Sequence, residues 1–151
     1  MCSSDLDRDP IDLLRSSLLE YRDTIAGFSA DAWRRSWAPG KWTMREIMVH
    51  VAQWESIFGQ RLLFGLSMPG YVVQPGDQNL LMQQVGAIDG PTAFAAFDGA
   101  RRMTLALLDG TTPETRRRTF THAERGPIDA NDVIVTIAGH GMHHLEQLRT
   151  R

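Results

Sequence analysis

The stretch VIVTIAGHGMHHLEQL, Val133–Leu148, decides how the rest of the chain is read. A helix turns about 100° and rises about 1.5 Å per residue, so side chains four apart stand one above the other. With Ile137 at the zero of a helical wheel, Val133, Ile134, Ala138, Gly141, Leu145 and Leu148 share one arc of about 140°. His144 falls inside that arc and His140 at its edge, whereas His143 points to the polar side with Gly139 and Thr136. The inward pair is therefore His140 and His144, and both can reach one metal ion.

Two imidazoles on one buried face need a reason to be there. Neutral and unpartnered, each leaves polar nitrogens to be satisfied away from water. Charged, they repel each other. A shared cation removes both difficulties, since neutral imidazole is a good ligand for zinc, nickel, copper or iron. Without a third protein ligand, however, the pair is incomplete and reads as ordinary helix histidines. The single cysteine, Cys2, allows neither an internal disulfide nor a cysteine cage, so any metal site must draw on histidines and carboxylates.

The third ligand is sought on the other helices. Thr43-Met44-Arg45-Glu46 forms a capping box, in which the Thr hydroxyl accepts from the amide at Glu46 while the Glu side chain reaches back. The long helix that follows, to Leu66, carries Ile47, Trp54, Ile57 and Phe58 within about 80° of His50. His50 is thus centred on an apolar face two turns into its helix, and it is the best candidate for the third ligand. Before this helix, Asp9 and Pro10 start another, with Ile11, Leu14, Leu18, Tyr21 and Ile25 at helical spacing and an end near Gly27. Residues 28–33 add a short turn, and Trp37-Ala38-Pro39-Gly40-Lys41-Trp42 reads as a tight connection.

After Leu66 the pattern stops until Gly90, with turn signals at Pro69-Gly70 and Pro75-Gly76 and one helical turn around residues 79–85. A connection this long can cross a bundle. Pro91 opens a further helix in which Phe94, Phe97, Ala100, Met103, Thr104 and Leu107 recur up to Gly110. Residues 111–128 read as a loop holding Arg116-Arg117-Arg118, His122 and Arg125. Three consecutive arginines point in different directions on any regular element and read as solvated surface; the sharper alternative is an anion contact for a substrate carboxylate. His122 reads as a loop histidine that bonds locally. Asp129 caps the last helix, with Asp132 in its first turn.

At 151 residues and a formal charge of -2, the chain has the size of one domain and no electrostatic reason to bind nucleic acid or an anionic membrane. It contains no run of about 18 apolar residues, and its N-terminus lacks the basic and apolar parts of a signal peptide. These features predict a soluble, cytoplasmic protein with no membrane partner. Residues 1–9 carry no periodic pattern and read as a disordered tail, ahead of one domain over residues 10–150.

Taken together, Trp37 through His50, His122-Ala123-Glu124-Arg125-Gly126 and Ile137 through Leu148 resemble the DinB-like superfamily of four-helix-bundle metal proteins. The resemblance covers about residues 10–150. It implies an all-α four-helix bundle, up-down-down-up, with a long crossover between the second and third helices. It also implies a divalent metal, zinc, nickel or iron, on three histidines that match His50, His140 and His144. Characterised relatives include thiol-S-transferases that use bacillithiol, mycothiol or related thiols, and homodimers are common among them. The position after the first ligand of the last helix, often acidic or polar in relatives, is Gly141 here.

Three neutral ligands leave an open coordination position, the arrangement of a catalytic site. A thiol bound there would be deprotonated, and the thiolate is the nucleophile. The expected function is therefore a metal-dependent thiol-S-transferase that activates a low-molecular-weight thiol for attack on an electrophilic small-molecule substrate. Glu46 and Gln53, flanking His50, and Gln147, one turn beyond His144, are candidates to orient ligands or substrate. No residue is singled out as catalytic. One rival is hydrolysis by water activated at the same position, with Glu46 as the carboxylate base. The other is a non-catalytic metal-binding or stress-response bundle. With ordinary imidazoles, protons should compete with the metal below a pH of about 6.5.

Overall fold

The structure, a computed structural model, describes residues 8–150. Most of the N-terminal segment read as a tail, residues 1–7, lies outside the described residues. Four long helices dominate: α1 (Pro10–Ile25), α3 (Met44–Ser67), α5 (Gly90–Asp109) and α7 (Ala130–Leu148). Shorter elements fill the connections: α2 (Ala30–Arg34), β1 (Val72–Val73), α4 (Gln78–Met82), α6 (Pro113–Arg116), β2 (Phe120–His122) and β3 (Gly126–Ile128).

The helix starts follow from local chemistry. Asp9 accepts from the amides of Ile11 and Asp12 ahead of Pro10, and Asp89 accepts from Thr92 ahead of Pro91. Thr43 with Glu46 and Asp129 with Asp132 both close capping boxes, so α3 and α7, the two helices that carry the inward histidines, have firmly fixed beginnings.

Side-chain pairs fix the direction of each helix. Arg22 meets Asp98 and Arg15 meets Asp109, so α1 and α5 run antiparallel. Arg45 donates to the carbonyls of Val85 and Ile88 just ahead of α5, and Arg101 meets Glu55, so α3 and α5 run parallel. Tyr21 bonds to Gly141 and Arg149 to Glu20, with Leu13 and Leu14 packed among Val133, Ile134 and Ile137, so α1 and α7 are parallel. The bundle is therefore up-down-down-up, and residues 68–89 make the crossover between its second and third long helices.

The core has two halves. One gathers Leu14, Leu62, Leu108, Val133 and Ile137 with Phe120 and Ile128; the other gathers Tyr21, Met44, Met48, Phe97, Leu145 and Leu148. The apolar stripe expected on α5 is turned from its predicted setting. Phe97 and Thr104 are buried, but Ala93, Arg101, Leu105 and Leu108 complete the inward face, and Met103 is 75% exposed. Arg101 is the reason: a charged side chain occupies a core position because Glu55, Leu14 and Ser17 satisfy it there.

The two loops also hold a three-stranded sheet that the sequence pattern did not announce. β1 pairs with β2 in parallel, Val72 opposite Thr121, and β2 pairs with β3 antiparallel, Phe120 opposite Ile128. The strands are two or three residues long, too short for an alternation to register. Phe120 reaches from this sheet onto α3, where a Cβ at Gly65 would lie 2.5 Å from its ring. Only glycine permits that approach.

Candidate metal centre

His50 enters from α3 and His140 and His144 from α7, which run antiparallel and bring all three rings together. The ring centroids are 5.0 Å apart for His50 and His140, 4.7 Å for His50 and His144, and 4.6 Å for His140 and His144. One nitrogen from each ring lies within 4.8 Å of the other two, the only such group of histidine, cysteine and carboxylate ligands among the described residues. His50 and His144 are buried and His140 is half-buried. His143, beside them in sequence, is exposed, and His122 is engaged with its own loop, accepting from the amides of Glu124 and Arg125.

The wall around the rings is aromatic. Trp42 lies tilted against His50 at 4.9 Å, Trp54 stands 6.2 Å from His50 and 6.3 Å from His140, and Phe58 meets His140 edge-on at 5.7 Å. Burial is the main cause that pushes His50 down to about 4 and His140 down to about 3, followed by the neighbouring imidazoles. The same burial lowers His144, opposed by its bond to Gln147. All three are therefore neutral at pH 7, the form in which imidazole ligates a metal. Proton competition, expected near the ordinary value of about 6.5, is moved toward pH 4.

His50 Nε2 lies 3.0 Å from His140 Nε2. Such a contact requires that one nitrogen carry a proton and the other not, or that both face a cation. Two nitrogens each about 2.0–2.1 Å from a tetrahedral ion stand about 3.3 Å apart, so the donor set fits a divalent metal with little movement. His144 Nδ1 donates to Gln147 Oε1 at 2.7 Å, which leaves its Nε2 lone pair free to turn inward. The Gln147 amide is held in turn by His143 at 3.2 Å. His50 Nδ1 is buried without a partner, so packing against Trp42 sets this ring rather than a hydrogen bond.

The other expected helpers are placed differently. Glu46 Oε2 accepts from the Thr43 amide at 2.8 Å and hydroxyl at 2.9 Å, so this carboxylate is committed to the start of α3. Gln53 donates to the Leu81 carbonyl at 3.4 Å, tying α3 to α4. Arg116 bonds to Thr111, while Arg117 and Arg118 are exposed, as a solvated run should be.

Sequence reading missed the layer beneath the histidines. Arg101, 0% exposed, holds Glu55 through Nε and Nη2 at 2.6 and 2.8 Å and donates Nη1 to Leu14 O and Ser17 Oγ. A Cβ at Gly141 would stand 3.3 Å from Arg101 Nη2, and the Gly141 carbonyl accepts from Tyr21 at 2.6 Å. Glycine after the first α7 histidine is thus explained by the guanidinium packed against it. The spacing Phe97, Arg101, Thr104, Leu108 carried this signal, since it places an arginine on an otherwise inward face.

The family model of the DinB superfamily matches residues 13–148. Two Oceanobacillus iheyensis proteins, each named as a candidate metal-dependent hydrolase, are 23% and 22% identical over 128 residues, spanning 84% of this chain and 74% of each relative. YfiT from Bacillus subtilis, described as a candidate metal-dependent hydrolase with an unusual four-helix bundle topology, superposes with a TM-score of 0.82. That match has 18% identity and covers 92% of this chain and 81% of YfiT. A mycothiol-dependent maleylpyruvate isomerase superposes with a TM-score of 0.76 at 12% identity, covering 93% of this chain and 60% of that enzyme. At these identities the structural likeness carries the fold alone.

Proposed function

The chain belongs to the DinB superfamily, and from that premise we propose that it is a metal-dependent thiol-S-transferase acting on a small electrophilic molecule. The observation that carries this reading is the convergence of one nitrogen each from His50, His140 and His144 within 4.8 Å. A divalent ion held there, zinc, nickel or iron, would supply Lewis-acid activation of a low-molecular-weight thiol.

The protein's own contribution is to hold and shield. Gln147 fixes the tautomer of His144 by accepting from Nδ1, the usual role of a group behind a ligand. Trp42, Trp54 and Phe58 pack against the rings of His50 and His140, which limits their contact with water and favours the unprotonated form. The chain needs no thiol of its own, and its single cysteine is Cys2. The structurally similar isomerase is mycothiol-dependent, a precedent on this fold for an external thiol.

Hydrolysis, the activity in the names of the sequence relatives, would be aided by a general base near the site. Glu46 is spent on its capping box and Glu55 on Arg101, which favours the thiol reading. The test is turnover of an electrophile such as monochlorobimane with bacillithiol, mycothiol and glutathione, on metal-loaded and metal-stripped protein. Metal-dependent conjugation with one thiol is the expected result. Stabilisation by metal with no turnover of any thiol or ester would assign a non-catalytic bundle instead, and sedimentation of the loaded protein will show whether it works as a homodimer.

A further inference from the structure

Beyond the three histidines, α3 and α7 together with β2 and β3 enclose a second, smaller feature. A pocket of about 20 Å³ is lined by Phe58, Arg61, His122, Arg125, Asp132 and Thr136, among others. That volume has room for about one water-sized group, such as a single carboxylate oxygen. Its position is tied to the metal centre. Phe58 forms part of its wall and also meets His140 edge-on at 5.7 Å, and Thr136 lies one helical turn before His140 on α7.

The donors here are prepared for an anion. Arg61 lies over the rings of Trp54 and Phe58, 5.5 and 5.6 Å from their centroids, and donates Nη2 to the Gln74 carbonyl at 2.7 Å. The stacked guanidinium is thus held in place with most of its five N–H groups uncommitted. His122 Nδ1 accepts from two backbone amides, so its proton sits on Nε2 and that nitrogen donates. Arg125 is exposed on the turn between β2 and β3 and brings a second guanidinium to the same pocket.

Among the described residues neither arginine is held in an ion pair, and Asp132, the acidic residue in the lining, accepts from the Asp129 amide at 3.0 Å. Burial is the main cause that lowers the pKa of Arg61; Tyr71 opposes it and the neighbouring Arg125 adds to it. Two guanidiniums and an imidazole N–H around such a pocket suit a carboxylate that places one oxygen in it, since guanidiniums bind carboxylates with charge-assisted hydrogen bonds.

We propose that Arg61, Arg125 and His122 form a carboxylate-binding site that shares Phe58 with the histidine cluster, and that it seats the acid group of the small molecule whose reacting end lies at that cluster. The site itself stands on the pocket; its assignment to the substrate rests on the function proposed above. A carboxylate held here anchors the substrate by a part remote from the reaction, which orients the reacting end. Specificity would then follow the acid group, and uncharged analogues would be bound poorly.

The test has two arms. In the first, metal-stripped protein is titrated with acetate, inorganic phosphate, chloride and acetamide at constant ionic strength, with the arginine Nε–H and backbone amide NMR signals as the readout. Acetate should shift Arg61 and the amides of residues 122–126 saturably, and more tightly than chloride or phosphate. Arg125→Gln, at an exposed position, and Arg61→Gln, checked for folding by circular dichroism, should each weaken acetate at least about tenfold, as expected for loss of a charge-assisted hydrogen bond, while Arg61→Lys keeps part of the affinity. Metal content should not change in any of them. Acetate that binds no better than chloride, or equally well to wild type and Arg125→Gln, overturns the site. In the second arm, a carboxylated electrophile and its amide are compared on loaded protein: KM should favour the acid in wild type and lose that preference in Arg125→Gln. A preserved preference overturns the substrate assignment, whereas a wild type with no turnover at all refutes the thiol-transferase reading and leaves the acetate arm to decide the site.

Discussion

Arg101 meets Glu55 through two nitrogens, at 2.6 and 2.8 Å, with both side chains closed off from solvent between the two halves of the core. Breaking such a pair leaves a buried charge without a partner, which costs about 3–5 kcal/mol, whereas replacing both partners with apolar groups is often neutral. Glu55→Leu and Arg101→Met should therefore each destabilise the fold strongly, and the double variant should recover much of the loss. Urea unfolding of the four proteins in a double-mutant cycle measures it. Equal and additive losses would mean that the pair does not act as a unit.

The histidine cluster makes a sharper demand. His50→Ala, His140→Ala and His144→Ala should each remove most bound metal, while His143→Ala and His122→Ala, one exposed and one tied to its own loop, should retain it. Elemental analysis of the purified variants decides the matter. Full metal content in His50→Ala would refute a site that joins α3 to α7.

The sequence offers both Gln147 and Glu46 as orienting residues, and their contacts differ: Gln147 bonds to His144, Glu46 to its own helix start. Gln147→Leu removes the acceptor of His144 Nδ1 and should weaken metal binding about 10–100-fold, the usual cost of losing a group behind a ligand. Glu46→Ala should instead destabilise the start of α3 by about 1 kcal/mol and leave metal affinity unchanged. Metal titration and thermal unfolding of both variants check the contrast, which fails if Glu46→Ala lowers metal affinity as much as Gln147→Leu.

What could be read in the sequence divides along physical lines. The helix starts were legible because caps and first-turn prolines are local chemistry, written within four residues at Asp9, Thr43, Pro91 and Asp129. The inward setting of His50, His140 and His144 was legible because helical spacing alone places side chains on faces. The setting of α5 was not, because Arg101 breaks the apolar pattern and only its partners on α1 and α3 reveal a core position. The strands were hidden because they are two or three residues long and held by distant pairing. The pocket around Arg61 and Arg125 joins residues 64 positions apart, and no local pattern records it.

The two glycines flanking His140 should respond in opposite ways. A Cβ at Gly139 meets nothing within 4 Å, so Gly139→Ala should stabilise α7 by up to about 1 kcal/mol through helix propensity alone. A Cβ at Gly141 stands 3.3 Å from Arg101 Nη2, so the same propensity gain at Gly141→Ala is offset by displacement of the buried guanidinium. Unfolding free energies of the two variants should differ in that order. A larger gain at position 141 would mean that Arg101 does not press on the helix.

The pH response tests the electrostatics of the site itself. In the unfolded chain each histidine takes up a proton near its ordinary value of about 6.5, whereas in the fold His50 is held down to about 4 and His140 down to about 3, chiefly by burial. Between those limits the unfolded state binds more protons than the native one, so stability rises with pH there, by up to about 1.4 kcal/mol per unit for each group. The stabilisation is complete above a pH of about 6.5 and is lost progressively as pH falls toward 4. Metal-free protein, prepared by chelation and dialysis, should therefore lose thermal stability steadily from pH 6.5 downward. Metal-loaded protein should lose it in parallel, because the native histidines are neutral with or without an ion. The gap between the two melting curves should stay nearly constant from about pH 7 to 5 and close only toward pH 4, where the native imidazoles begin to protonate. Melting temperatures of both forms in half-unit steps give the answer. A gap that collapses between pH 7 and 6 would show that these imidazoles titrate at ordinary values, and the aromatic wall of Trp42, Trp54 and Phe58 would then not be keeping water from the ligands.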